Sequence, residues 1–148
     1  MNNNENLNGE QTNVPTYKVF NNFDEMNLKD ELTRGIYNYG YERPSEIQCR
    51  GIGPIVEGND VIGQAQSGMG KTGTYSIGTL QVINHKINDT QAIILANTRE
   101  LATQVESVIN NLGKYMKTFL FLNTLYYGTD FGQKSSQLVL FSPIFVIL

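Results

Sequence analysis

Residues 65–72 read Ala-Gln-Ser-Gly-Met-Gly-Lys-Thr, so two glycines are followed by a lysine and a threonine. Gly68 and Gly70 allow the backbone to turn with its N–H groups pointing inward, where they can bind phosphate oxygens. Lys71 can reach the β- and γ-phosphates of a nucleotide, and the Thr72 hydroxyl can ligate Mg²⁺. The stretch fits the pattern G-x-x-x-x-G-K-[ST] except at its first glycine, which is alanine here. It indicates a phosphate-binding loop, and the alternative is a glycine-rich turn with a chance Gly-Lys-Thr.

Residues 40–48, Gly-Tyr-Glu-Arg-Pro-Ser-Glu-Ile-Gln, form a second candidate segment upstream of the loop. The proline disfavours helix at the residue before it, and Ser45 is a suitable N-cap for a helix that follows. The segment resembles the Q motif of the DEAD-box RNA helicases, here about residues 21–49, and Phe23 stands where that motif has its isolated upstream aromatic residue. The resemblance implies that Gln48 reads the base of ATP, because a Gln amide can accept from adenine N6 and donate to N7.

A third segment, Asn97-Thr98-Arg99-Glu100-Leu101, follows a short apolar run. It resembles motif Ia of the same family, usually Pro-Thr-Arg-Glu-Leu, with which the family contacts the RNA backbone. Thr98 and Arg99 are suitable phosphate ligands at the start of a helix. Asn97 replaces the usual proline and loses its fixed φ angle. The alternative is an ordinary N-capped helix with a surface arginine.

A weaker match lies at residues 126–129, Tyr-Tyr-Gly-Thr, where the family has Gly-Gly-Thr. Tyr127 occupies the first glycine position, so only Gly128 is assigned a contact with RNA. The alternative for Gly128 is a plain turn glycine.

The resemblance covers about residues 17–147 and is nearest to the translation-initiation members of the family. It implies ATP or ADP with Mg²⁺ as cofactor, the RNA backbone and translation-initiation proteins as partners, and a cytoplasmic or alternatively nuclear location. Thr72 is the one metal ligand that it identifies. The nucleotide-binding residues that it implies are Phe23, Tyr41, Arg43, Gln48, Ala65, Gln66, Ser67, Gly68, Met69, Gly70, Lys71 and Thr72.

The family's later motifs are missing from this sequence, which contains neither Asp-Glu-Ala-Asp nor Ser-Ala-Thr. Residues 142–148 look like the strand that precedes the Thr-Pro-Gly-Arg motif. We therefore expect residues 17–148 to be a partial helicase ATP-binding domain, truncated before the DEAD motif and catalytically incomplete. One alternative is a non-catalytic relic that binds adenine nucleotide or partner proteins. Another is a different P-loop enzyme, such as a small-molecule kinase or a GTPase.

Composition is typical of one globular domain, with 148 residues of which 40% are hydrophobic. The net charge of -3 gives no bulk basic surface for nucleic acid. Cys49 is the only cysteine, so an intramolecular disulfide is excluded and a reducing compartment is favoured. Residues 1–16 are polar and rich in Asn, which predicts a disordered tail. No apolar run reaches the ~20 residues that span a bilayer, so we expect no membrane contact.

The elements that must position these residues alternate along the chain. Leu28, Leu32 and Ile36 form a helical stripe behind a candidate cap at Asn27. This alternation predicts an α/β fold, and the resemblance makes it a partial RecA-like P-loop domain with a parallel sheet flanked by helices. The resemblance also implies that the P-loop strand lacks a normal neighbour. The further predicted helices are 45–57, 70–85 and 99–112, and the predicted strands are 60–64, 91–96, 119–122 and 144–148.

Overall fold

The computed structural model describes residues 17–84, 86–87, 89–116 and 140–147. The predicted tail at 1–16, the predicted strand at 119–122 and Gly128 lie outside these ranges. A short 3-10 turn at Asp24–Met26 precedes the first helix. Within the described residues, the elements in chain order are α1 (Asp30–Asn38), α2 (Glu46–Val56), α3 (Lys71–Val82), β1 (Thr90–Leu95), α4 (Arg99–Leu112) and β2 (Leu140–Ile147).

The predicted cap of the first helix at Asn27 is wrong. The N-cap of α1 is Lys29, whose side chain makes no capping hydrogen bond. Asn27 instead ends the 3-10 turn in the left-handed region, with a φ of 51°. Asn adopts this conformation more readily than most residues with a side chain, so the local turn determines its position. The first turn of α1 carries Asp30 and Glu31, which interact favourably with the positive end of the helix.

The end of α1 is a glycine cap with two characteristic hydrogen bonds. Gly40 has a φ of +97°, which only glycine adopts without strain. Its N–H donates to the Tyr37 carbonyl at 3.1 Å, and the Tyr41 N–H donates to the Ile36 carbonyl at 3.2 Å. This is a Schellman arrangement, in which two helix-end carbonyls gain partners. It reverses the chain so that Tyr41 lies back against α1.

The predicted strand at 60–64 is wrong, because residues 59–66 have no regular secondary structure. Val61 is 41% exposed and Ile62 is 101% exposed. A strand is defined by hydrogen bonds to a neighbouring strand, and no described residue pairs with this segment. The apolar run entering the loop therefore has strand-like composition without a strand's pairing.

β1 and β2 pair in parallel, with Ala92 opposite Ile144 and Leu95 opposite Ile147. The register shifts between Thr90 and Ala92. The two additional residues fall on the β2 side around Pro143, which has no N–H to donate to the ladder. The described part of the chain contains this two-stranded sheet and no wider one. β2 begins at residue 140 rather than at the predicted 144.

α3 is the central helix, buried continuously from Gly73 to Leu80. It packs against α2 on one side and α4 on another, and α1 reaches both α3 and α4. The fully buried large side chains of this core are Phe23, Leu32, Ile36, Ile52, Ile77, Leu80 and Leu112.

Lys29 fixes the carboxyl end of α3. Its ammonium donates to the carbonyls of Leu80 at 3.1 Å and Ile83 at 2.6 Å, and its backbone N–H donates to Gln81 Oε1 at 2.8 Å. A cation at this end also interacts favourably with the helix dipole. Partial burial lowers the pKa of Lys29, and the nearby Glu31 carboxylate partly opposes that shift. α3 therefore starts at the candidate loop and is held at its far end by the segment before α1.

Candidate nucleotide-binding site

Gly68 and Gly70 shape the loop as the sequence predicts, with φ angles of +81° and +91°. Gly70 is also the N-cap of α3. A Cβ atom at Gly70 would lie 2.6 Å from Ser45 Oγ and 2.9 Å from Gln48 Nε2. A side chain at Gly70 would therefore be strained and would displace two polar groups of α2 and its cap. The loop places the positive end of α3 where an anion can reach it.

The Lys71 ammonium lies against the loop. It donates hydrogen bonds to the carbonyls of Ala65 at 2.5 Å and Gln66 at 2.8 Å. The side chain is half-buried, as is that of Thr72, the next residue of α3. The loop residues Gln66, Ser67 and Met69 are exposed. The lysine is therefore held at the loop, while the remainder of the loop is open to solvent.

Ser45 connects the start of α2 to the end of the loop. It is the N-cap of α2, as the sequence predicts, and its N–H donates to Gln48 Oε1 at 2.9 Å. Its hydroxyl donates to the Met69 carbonyl at 2.9 Å. Sequence reasoning identified the cap but missed this second bond, because the two residues are 24 positions apart.

Gln48 is 3% exposed and bridges α2 to α3. Its Oε1 accepts from the Ser45 N–H, and its Nε2 donates to the Gly70 carbonyl at 3.3 Å. A side-chain amide has two N–H donors and two acceptor lone pairs. These two bonds therefore leave one donor and one acceptor, the pair that a bidentate contact with adenine requires.

Tyr41 and Phe23 stack beside this bridge, with ring centroids 6.4 Å apart and planes 16° apart. Phe23 is fully buried, so it lies behind Tyr41 rather than at a surface that a ligand can reach. Tyr41 is partly exposed, and partial burial raises the pKa of its phenol above the usual 10.0. An added Cβ at Gly73 would lie 2.6 Å from Gln48 Nε2 and 3.0 Å from the Tyr41 ring. Tyr41 and Gln48 therefore meet at the first turn of α3.

The remaining candidates are placed as follows. Arg43 is exposed on the turn before Pro44. Thr98 is the N-cap of α4, and its Oγ1 accepts from the Leu101 N–H at 3.1 Å, as in the ordinary N-cap alternative. Arg99, the first residue of α4, is exposed. Both Thr98 and Arg99 follow the carboxyl end of β1, the edge where parallel sheets bind ligands.

No group of three or more His, Cys, Asp or Glu side chains suited to a metal occurs among the described residues. Within the same residues, no helix is long and apolar enough to cross a bilayer. A shallow hollow of about 420 Å³ lies away from the loop, on the 3-10 turn and α1. Its size does not make it the better candidate, because it contains none of the phosphate-binding groups described above.

Comparison with known proteins gives the family. A sequence model described as DEAD/DEAH box helicase matches residues 45–147. The chain is 60% identical over 101 residues to eukaryotic initiation factor 4A of Drosophila melanogaster, a match covering 68% of this chain and 25% of that protein. It is 56% identical over 107 residues to ATP-dependent RNA helicase FAL1 of Saccharomyces cerevisiae, a match covering 72% of this chain and 27% of that protein. The chain thus spans about a quarter of the length of the curated relatives it matches.

Solved structures of DEAD-box proteins are also similar to this chain. A DEAD box protein from the hyperthermophile Methanococcus jannaschii is similar with a TM-score of 0.69 at 35% identity, over 75% of this chain and 30% of that one. S. cerevisiae Dbp5 bound to RNA and ADP BeF3 is similar with a TM-score of 0.63 at 30% identity, over 84% of this chain and 32% of that one. The family match covers most of the chain and includes both the loop and Gln48. This chain belongs to the DEAD/DEAH box helicase family.

Proposed function

We propose that this chain is the ATP-binding amino-terminal part of a DEAD-box RNA helicase of the initiation factor 4A type. The observation that carries the proposal is the bridge made by Gln48, which joins α2 to the carbonyl of Gly70 at the phosphate loop. One side chain thereby touches both the candidate base site and the candidate phosphate site. The resemblance supports a RecA-like arrangement, to which the β1–β2 pair contributes two parallel strands.

The phosphates are proposed to bind in the loop at residues 65–72. Backbone N–H groups around Gly68 and Gly70 supply neutral donors, and the start of α3 adds its positive end. Lys71 supplies the charge. It exchanges two neutral carbonyl acceptors for phosphate oxygens, because an anionic oxygen adds the attraction of a full negative charge to the hydrogen bond from the ammonium. Thr72 is proposed as the protein's ligand to Mg²⁺, which accompanies ATP or ADP.

The base is proposed to bind beside Tyr41, within reach of the free donor and acceptor of Gln48. Guanine presents a carbonyl where adenine presents its amino group, so the amide cannot pair with both in one orientation. Gln48 is additionally held by Ser45 and Gly70, which limits rotation of its amide. This restraint is the physical basis for a preference for ATP over GTP.

Substituting Gln48→Ala is expected to remove the preference for ATP over GTP while leaving part of the affinity, which comes from the phosphates. The matched control is Gln64→Ala, an exposed glutamine just before the loop. Isothermal titration calorimetry with ATP and with GTP checks the result. Equal affinities for ATP and GTP in the unmodified chain would contradict the assignment of Gln48, as would a preference that survives in Gln48→Ala.

RNA is proposed to contact Thr98 and Arg99 at the start of α4, through its phosphate backbone. Dbp5, a structural neighbour, is known bound to RNA and ADP BeF3. The Thr98 hydroxyl already accepts one bond, but it can still donate its own proton to a phosphate oxygen. Contacts with translation-initiation proteins are proposed from the relatives alone.

We also propose that this chain binds ATP without hydrolysing it. The sequence contains no Asp-Glu-Ala-Asp, and the described residues show no carboxylate cluster to hold a metal. Losing a single electrostatic element of a transition state costs roughly 2.7–4 kcal/mol, about 100- to 1,000-fold in rate. A phosphate-release assay with and without RNA is expected to show no turnover above buffer. Turnover that rises with RNA and disappears in Lys71→Ala would contradict this and would exclude the non-catalytic alternative.

A further inference from the structure

Tyr39 packs against Tyr41, although it lies outside the residues assigned above to the site. The two ring centroids are 5.0 Å apart and the ring planes are 84° apart. This perpendicular arrangement is one of the two that aromatic pairs prefer. Tyr39 is 38% exposed, so one part of its ring touches Tyr41 and another faces solvent.

The glycine cap of α1 brings these two rings together. Tyr39 is the C-cap residue, and its N–H donates to the Gly35 carbonyl at 2.9 Å. Gly40 then turns the chain through its positive φ, and the Tyr41 N–H returns to Ile36. Both backbone positions flanking Gly40 are therefore fixed by helix-end hydrogen bonds. The contact between the rings is a consequence of the cap and does not depend on a flexible loop.

Tyr41 is contacted from more than one side. Phe23 supports it from the core, at a centroid distance of 6.4 Å. The Tyr41 ring also contacts the first turn of α3, where an added Cβ at Gly73 would lie 3.0 Å from it. The Tyr39 ring lies closer to the Tyr41 ring than the Phe23 ring does. Tyr39 is also partly exposed to solvent, whereas Phe23 is buried.

We propose that Tyr39 is a positioning residue, which holds the Tyr41 ring in the orientation that receives the adenine of ATP. The inference deepens the proposed function and rests on it, because it requires the base to bind beside Tyr41. Tyr39 acts through Tyr41 and makes no contact with the phosphates. Tyr39 therefore contributes to the binding of the adenine base and not to the binding of the triphosphate.

The test compares two ligands of the full chain, ATP and inorganic tripolyphosphate, by calorimetry. Tyr39→Ala is expected to lower the affinity for ATP by about three- to tenfold, which corresponds to the free energy that one aromatic pair contributes. Tripolyphosphate affinity is expected to stay unchanged. Tyr39→Phe keeps the ring and is expected to bind ATP within about twofold of the unmodified chain.

The possible outcomes separate this inference from the proposed function. ATP affinity that is unchanged or increased in Tyr39→Ala would overturn the inference, as would an equal loss for ATP and tripolyphosphate. Failure of the unmodified chain to bind ATP would overturn the proposed function and the inference with it. If Tyr39→Ala does not fold, Tyr39→Leu keeps apolar volume without the ring, and the same ligand comparison decides.

Discussion

A single added methyl group at Gly35 is expected to destabilise this chain by about 3 kcal/mol or more, the upper end of overpacking costs. A Cβ atom at Gly35 would overlap the carbonyl oxygen of Leu112 and would lie 2.8 Å from its carbonyl carbon. Both atoms belong to the backbone, so no side-chain rotation can relieve the contact. α1 and α4 would have to separate, which would expose part of the core around Leu112.

Urea denaturation of Gly35→Ala, followed by circular dichroism, measures this loss. Gly53→Ala is the matched control, because its Cβ would meet the ring edge of Phe20 at 2.9 Å, a side chain that can move. Both glycines lie in helices, where alanine is intrinsically better by about 1 kcal/mol. We therefore expect Gly53→Ala to be neutral or stabilising. Equal stability of the two variants would mean that α1 and α4 are not as close as the structure places them.

Removing the ammonium group of Lys71 is expected to reduce ATP affinity at least about hundredfold, or about 2.7 kcal/mol. The structure holds the Lys71 ammonium directly against the loop, through the Ala65 and Gln66 carbonyls. Hydrogen bonds to charged groups contribute about 1.5–3 kcal/mol each, and a phosphate chain accepts more than one. The affinity for ADP is expected to fall less than the affinity for ATP, since ADP lacks the γ-phosphate.

Calorimetric titration of Lys71→Ala with ATP and ADP measures this effect. Lys86→Ala removes an exposed lysine beyond α3 and is the control for net charge. Loss of ATP binding in both variants would indicate a general electrostatic effect. ATP binding that persists unchanged in Lys71→Ala would contradict the assignment of the loop to the nucleotide site.

The sequence predicts the helices well, because each has a complete local signal. α4 spans Arg99–Leu112, the residues predicted, since its apolar stripe and its Thr98 cap are both local. The predicted cap at Asn27 is wrong because Asn is favoured both at helix N-caps and in left-handed turns, so its residue type does not distinguish the two. The predicted strand at 60–64 is wrong for another reason. Strand pairing depends on a neighbouring strand, which the local amino-acid composition does not predict.

Within the candidate site, a local pattern predicts the turn of the loop but not the bonds that join the loop to distant segments. The positive φ angles of Gly68 and Gly70 fit the backbone turn that the loop pattern predicts. The bonds from Ser45 to Met69 and from Gln48 to Gly70 join segments more than 20 residues apart. No local pattern predicts them, and the same holds for the approach of Gly35 to α4. Tyr39 was missed because its contact with Tyr41 depends on how Gly40 turns the chain.

The central claim is that one site binds the phosphates in the loop and the adenine at Gln48. Its most direct test is the ¹H–¹⁵N NMR spectrum of the unmodified chain during titration with ATP and with GTP. ATP is expected to shift the backbone amides of Gly68, Gly70 and Lys71 together with the side-chain amide of Gln48. GTP is predicted to shift the loop amides and to shift the Gln48 side-chain amide less than ATP does, because GTP perturbs it only through its bond to the Gly70 carbonyl. Loop amides that do not move with saturating ATP, or a Gln48 side chain that responds equally to both nucleotides, would contradict it.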